Sequence, residues 1–208
     1  GNGCHAHASL WDLKKKKNYF LDKDNELGLS KMGYHFIGGI IKSVDSFSAW
    51  FNPSLNSYDR LNARTTKSGS TYSPTAVTYS GNNRTHMIRI PDAGRIEFRP
   101  ADGAVNPYLL QAGLIAMGLD GIKNKRSPGK RIDVNMYSQG HKLKRIKKLP
   151  QSLGESLNKF KASEVVKKSI GSKVVSQYVK LKKREIAEHN KVSDGNKKKW
   201  ERKNIIDC

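Results

Sequence analysis

Acidic side chains, cysteines and long apolar runs are all scarce in this sequence. Asp and Glu number 18 against 39 Lys and Arg, a formal net charge of +21 over 208 residues. No apolar run reaches the roughly 18 residues of a helical membrane span, so no membrane partner is expected. No signal peptide or targeting motif is recognisable. The two cysteines, Cys4 and Cys208, stand at opposite ends and outside any metal-type spacing. A disulfide scaffold or zinc ribbon is thereby excluded, and a reducing, cytoplasmic setting fits. Hydrophobic residues make up 36%, a low fraction, yet three apolar helix-like stretches argue against wholesale disorder. No internal repeat is visible. The chain opens on Gly1 and runs straight into a dense polar motif, so a piece of a longer protein is expected.

An excess of positive charge first suggests a nucleic-acid partner. Its distribution points elsewhere. Residues 60–110 hold six arginines (Arg60, Arg64, Arg84, Arg89, Arg95, Arg99) and one lysine, Lys67; the rest holds five arginines and 27 lysines. Lysine is a hydrated point charge suited to solvated surface, whereas the planar fork of arginine matches carboxylates and phosphates. The lysine runs at Lys14–Lys17 and Lys197–Lys199 therefore read as surface, and the arginine cluster as a site for anions. No zinc-finger, RNP or helix-turn-helix signature supports nucleic-acid binding.

Residues 1–12 read as a strand entering a turn. Met32, Phe36, Ile37, Ile40, Ile41, Val44 and Phe47 recur at helical spacing, which predicts a helix to Phe51 with Ser30 as N-cap, ended by Asn52-Pro53. Residues 62–73 are a polar loop. Strands are predicted at 75–80, 86–90 and 95–99, with a turn at Pro91–Gly94. Asn106-Pro107 starts an apolar helix to about Ile122, hydrophobic around most of its girth and so expected to be buried. Residues 124–150 are irregular and basic. Ser152 and Glu155 are spaced as a capping box for a helix to about Lys161, and helical stretches follow near 163–169 and 172–189. A boundary is drawn at 191, with 192–208 a loosely held polar tail.

On a strand, His5, His7 and Ser9 share one face and Cys4, Ala6, Ala8 and Leu10 the other. Two imidazoles on a polar face suit a metal or an anion; a pair merely satisfied by hydrogen bonds fits the same pattern. In Arg95-Ile96-Glu97-Phe98-Arg99 the alternation puts Arg, Glu and Arg on one side and two apolar anchors on the other. That many arginines around one acid and two histidines repel one another unless anions neutralise them. A metal ion plus a polyphosphate balances the set.

These residues resemble the glutamine synthetase family. Gly1-Asn2-Gly3-Cys4-His5-Ala6-His7-Ala8-Ser9-Leu10-Trp11 is similar to its histidine-bearing strand. Asn52-Pro53-Ser54-Leu55-Asn56-Ser57-Tyr58-Asp59-Arg60-Leu61 is similar to its Asn-Pro-x-x-Asn-Ser-Tyr-x-Arg-Leu motif. Asn83-Arg84-Thr85, Ile88-Arg89-Ile90-Pro91, Arg95–Arg99, Asp102 and Asn106-Pro107-Tyr108 follow in the family's order. The resemblance covers nearly the whole chain, and within the family it leans toward the type III enzymes, which shade into γ-glutamylmethylamide synthetases. It implies an α+β fold, antiparallel strands backed by helices, forming the C-terminal part of a catalytic domain. It implies ATP-dependent ligation of ammonia to the γ-carboxylate of L-glutamate through γ-glutamyl phosphate, with Mg2+ or Mn2+. His5 and Glu97 match metal ligands. His7 and Ser9 match ATP contacts. Arg84, Arg89 and Arg95 match arginines at the ATP phosphates, Arg84 and Arg89 also at the transferred group. Gly1, Arg60 and Arg99 match the glutamate site. A homo-oligomer with sites between subunits is implied. A preceding stretch supplies further metal-binding glutamates in the family, so this portion alone is expected to be inactive.

One departure stands out. Most members carry a glutamate in a flap after the Arg-Leu pair; here residues 62–73 hold no acid, and Tyr72 falls in its place. The alternative amine is therefore methylamine or another small alkylamine, with Tyr72 beside it. Asn135-Met136-Tyr137 resembles the place of a regulatory tyrosine in some members, and Tyr137 is read as structural. A γ-glutamyl-polyamine ligase, a catalytically dead regulatory paralogue and a nucleic-acid-binding protein are the rival readings.

Overall fold

Ser30 opens the longest helix of the molecule by accepting a hydrogen bond from Gly33 N, and α1 then runs Lys31–Phe51. The computed structural model describes residues 3–63 and 72–205. The apolar stripe of α1, from Phe36 and Ile37 through Ile40, Val44 and Phe47 to Phe51, is buried. After Asn52-Pro53 comes α2 (Leu55–Leu61), whose Ser54 and Ser57 side chains cap each other's backbone amides. Leu55, Tyr58 and Leu61 recur every three residues along α2, with Tyr58 and Leu61 buried.

Six short strands carry the other face: β1 (Ala6–Ala8), β2 (Trp11–Asp12), β3 (Lys17–Asn18), β4 (Tyr79–Ser80), β5 (Ile88–Arg89) and β6 (Ile96–Phe98). β2 and β3 form a hairpin, and the main sheet has the order β1-β6-β5-β4. The β1–β6 and β6–β5 pairs are antiparallel, as expected, whereas β5 and β4 run parallel. The strand expected over 75–80 divides its bonding. Tyr79 and Ser80 join β5, while Val77 N donates to Lys147 O and Leu149 N to Thr75 O. The segment read as irregular thus supplies an edge. The sheet packs on α1, with the Phe51 and Phe98 rings 4.9 Å apart and 65° inclined.

The apolar helix expected after Asn106 is α3 (Pro107–Lys123), capped by the Asn106 side chain. It crosses α1 backbone against backbone. A Cβ on Gly39 would stand 2.0 Å from Met117 O and 2.7 Å from Gly121 N, and one on Gly121 2.1 Å from His35 O. Glycine at this crossing lets the helices approach, at the usual entropic cost. The expectation that α3 is buried all round is corrected: Tyr108, Ile115 and Leu119 are exposed, the last two lining an open groove beside residues 164–170.

A short α4 (Met136–Gln139) precedes three helices near their expected places: α5 (Leu153–Ala162), α6 (Glu164–Ile170) and α7 (Ser172–Asn190). At α5 the Ser152 hydroxyl accepts from Glu155 N as foreseen, but the Glu155 carboxylate accepts from Gln151 N, one residue beyond the predicted partner. The loosely held tail is also corrected. Asp194–Ile205 is a helix, α8, with Glu201 and Ile205 buried. His189 lies 3.2 Å from Glu201, and Lys198 joins Glu201 to Asp59 beneath α2. None of the helices described is long and apolar enough to cross a membrane.

Candidate active site

Antiparallel register sets the site. His7 stands opposite Glu97 on β6, and Arg89 on β5 stands opposite Glu97 from the other side. Alternation then places His5 and Arg99 on the same face as this row. Ile96 and Phe98, fully buried on the other face, hold β6 against the core. Glu97, 3% exposed, is the hub. Its Oε2 accepts from Arg89 Nη1 at 2.7 Å and its Oε1 from Arg99 Nη1 at 2.8 Å, while His5 Nδ1 lies 3.2 Å from Oε1. One carboxylate so faces two permanent cations and an imidazole. The Nε atoms of Arg89 and Arg99 are buried without partners among the described residues.

His5 has its pKa lowered, by burial first and then by Arg99, against an opposing pull from Glu97. His5 Nδ1 also lies 3.3 Å from Arg99 Nη1, which can only donate: one tautomer accepts that bond at Nδ1, and the other turns an Nδ1 hydrogen toward Glu97 and leaves the Nε2 lone pair open. That lone pair and the Glu97 carboxylate are suitable donors for Mn2+ or, for the oxygen, Mg2+. Among the described residues no group of three or more His, Cys, Asp or Glu converges on a metal site. The pair therefore fits as two ligands of a larger coordination shell and does not form one alone.

Arg60 is placed by α2 in a cage. Nε donates to Asp102 Oδ2 at 3.1 Å, Nη1 to Ser73 Oγ at 2.9 Å, and Nη2 to Asn52 Oδ1 at 2.8 Å and Pro100 O at 2.6 Å. Four of its five N–H groups are committed to the protein. Among the described residues, one Nη1 hydrogen of Arg60 remains uncommitted. Nη1 and His5 Nε2 both approach Gly3, 3.7 and 3.6 Å from where its Cβ would lie. Sequence reasoning missed Asn52 and Ser73 as partners; the one available signal was Asp102, one of three acids within the arginine-rich stretch.

The remaining residues are looser. Ser9 accepts from Trp11 Nε1, and His7 is exposed. Arg95 is exposed and paired with Asp92 rather than with the hub. Arg84 is exposed and makes no ion pair among the described residues; Asn83 and Thr85 beside it are tied down, Thr85 by Asn83 Oδ1. Tyr72 donates its hydroxyl to Thr85 O at 2.7 Å, and its ring meets Tyr137 edge-on at 5.3 Å. Burial pushes the Tyr72 phenol up to about 12, with Arg99 pulling the other way, so it stays neutral. His86, unremarked in the sequence, is wholly buried between Thr78 Oγ1 and Val134 O. Gly1, and with it Arg64 and Lys67, lies outside the described residues.

The family model described as the catalytic domain of glutamine synthetase matches residues 1–204. A glutamine synthetase of Rhizobium leguminosarum bv. phaseoli is 51% identical over 182 residues, which are 88% of this chain and 42% of that protein. A glutamate–methylamine ligase of Methyloversatilis universalis is 39% identical over 200 residues, 93% of this chain and 44% of that protein. A solved structure described as "GmaS/ADP complex-Conformation 1" superposes with a TM-score of 0.86 at 44% identity, covering all of this chain and 46% of that one. The chain spans less than half the length of these relatives.

Proposed function

Because the chain belongs to the glutamine synthetase family, we propose that it is part of an ATP-dependent ligase that joins an amine to the γ-carboxylate of L-glutamate. The observation that carries this reading is the Glu97 hub, with Arg89, Arg99 and His5 converging on one buried carboxylate. In the proposed reaction a γ-carboxylate oxygen attacks the γ-phosphorus of ATP and ADP departs. The amine nitrogen then attacks the acyl carbon of γ-glutamyl phosphate, phosphate leaves and the nitrogen sheds a proton. Charge gathers on phosphoryl oxygens, where preorganised cations lower the barrier most. Arg84 and Arg89 take that role, and Arg84, exposed with no ion pair described, is available to an incoming phosphate. Arg95, His7 and Ser9 contact the nucleotide. Arg99, the last free hydrogen of Arg60 and the backbone at Gly1 receive glutamate. His5 and Glu97 hold a divalent metal, which when bound supplies Lewis-acid stabilisation of phosphate charge. Its other ligands come from outside the described residues, and a homo-oligomer is the proposed assembly.

Ammonia is the first reading for the amine. Methylamine is the second, favoured by the Tyr72–Tyr137 aromatic pair and by the absence of any acid in residues 62–73. An aromatic face attracts an alkylammonium by about 0.5–2 kcal/mol. In the full-length enzyme, kcat/KM is compared for ammonia, methylamine and ethylamine, before and after Tyr72→Ala. Methylamine used at least as well as ammonia, and lost on substitution, supports the second reading. A strong ammonia preference unchanged by Tyr72→Ala leaves a plain glutamine synthetase, and no ADP release with any amine overturns both.

A further inference from the structure

The C-terminal helices hold a feature for which the ligase chemistry has no use. A cavity of about 510 Å3 opens between α5, α6 and α7, rimmed by Lys161, Lys167, Lys180 and Lys183 with the hydroxyls of Ser172 and Ser176. Its floor is Val175 and Val179, both buried. The helical repeat aligns the α7 contribution. Positions 172, 176, 180 and 183 recur every three or four residues and so share one face. Lys161 at the end of α5 and Lys167 on α6 oppose that face.

No acid lines the cavity, and the nearby acids are engaged elsewhere. Glu164 pairs with Lys167, Glu185 with Lys182, and Glu188 with Arg184, while Glu155 caps the start of α5. Lys161, Lys180 and Lys183 have no ion pair among the described residues. Exposed ammonium groups gathered around one opening still repel one another at short range, where a Debye length of about 8–10 Å leaves part of the interaction unscreened. An anion with several charges relieves that repulsion and accepts hydrogen bonds from lysines and serines together. The volume falls within the range of small-molecule pockets, about 300–1,000 Å3. No aromatic ring lines it to stack a base, as sites for single-stranded nucleic acid commonly offer.

We propose that this cavity is a binding site for a small multivalent phosphate compound, separate from the Glu97 site. The test uses the full-length enzyme with its nucleotide site saturated by a non-hydrolysable ATP analogue and Mg2+. Inorganic triphosphate is then titrated calorimetrically. Binding is expected to survive saturation and to weaken at least about tenfold in the Lys180→Glu/Lys183→Glu variant, since both contacts turn repulsive. It is expected to be unchanged in Lys14→Glu/Lys15→Glu, a charge-matched control on the β2–β3 hairpin. All four side chains are exposed, so folding is expected to be retained, and thermal melts check it. No binding to the saturated enzyme, or equal loss in the two double variants, overturns the proposal. A 20-base-pair duplex that displaces triphosphate and depends on the same two lysines overturns the small-ligand class in favour of nucleic acid.

Discussion

The sheet and the C-terminal helices use positive charge in opposite ways. Around Glu97 the cations are arginines, drawn inward and locked: the Arg89, Arg99 and Arg60 side chains are only 11–14% exposed and each is tied to a carboxylate. Along α5–α7 they are mostly lysines left in water; Lys161, Lys180 and Lys183 are exposed. A guanidinium donates five N–H groups from a plane and is weakly hydrated, so it can be buried provided acceptors surround it. An ammonium loses more on burial and keeps its stem on the surface instead. Charge in the first region is therefore architecture as well as chemistry, while in the second it is mostly reach.

The comparison breaks first at Glu97. Glu97→Ala strips the neutraliser from two buried arginines and is expected to cost about 3–5 kcal/mol of stability, read from denaturant unfolding. A loss below about 1 kcal/mol would place the arginines in water after all. Next comes Arg60→Lys, which keeps the charge but has too few donors for the cage; about 2–4 kcal/mol is expected from groups left unpaired. In the full-length enzyme the same change is expected to raise KM for glutamate. Gly39→Ala tests the core beneath both regions. The clash with Met117 O and Gly121 is expected to cost about 1–3 kcal/mol, with Lys42→Ala, exposed on α1, as the milder control. The smallest effect belongs to the lysines: Lys161→Ala and Lys183→Ala are expected to change stability by no more than about 0.5 kcal/mol.

His86 adds a pH arm to the comparison. Burial lowers its pKa, with Val134 O and Asp133 pulling upward. Below the ordinary histidine value of 6.5, the unfolded chain binds a proton that the folded one refuses. Stability attributable to His86 is complete above about pH 6.5 and falls as pH drops toward its folded value, by up to about 1.4 kcal/mol per pH unit. His5, also lowered, acts in the same direction. A melting temperature flat from pH 7 to 5, or a fall equally steep in His86→Gln, would remove His86 from this account.

Much of this was legible in the sequence wherever a signal was local. Ser30, Asn106 and Ser152 announced their helices, and the His-x-His and Arg-x-Glu-x-Arg alternations placed the Glu97 face. What was illegible depended on residues far apart. The strands are only two or three residues long because their edges bond to loops, as Val77 does to Lys147. α8 hid because its sequence is polar nearly all round; Glu201, buried against His189 and Lys198, holds it in place of an apolar stripe. The Arg60 cage was hidden because Ser73, Pro100 and Asp102 come to it from outside its own helix.

That cage has a bearing on how the molecule assembles. One guanidinium ties the end of α1, α2, the segment at residue 73 and the turn after β6, spanning 42 positions between Arg60 and Asp102. The bonds to Pro100 and Asp102 cannot close until helix and sheet have docked, so loop-closure entropy must be spent before they return anything. Arg60 is then a latch that shuts late: its loss is expected to hasten unfolding far more than it slows folding. The residue proposed to meet the substrate would also set how long the native state lasts once formed.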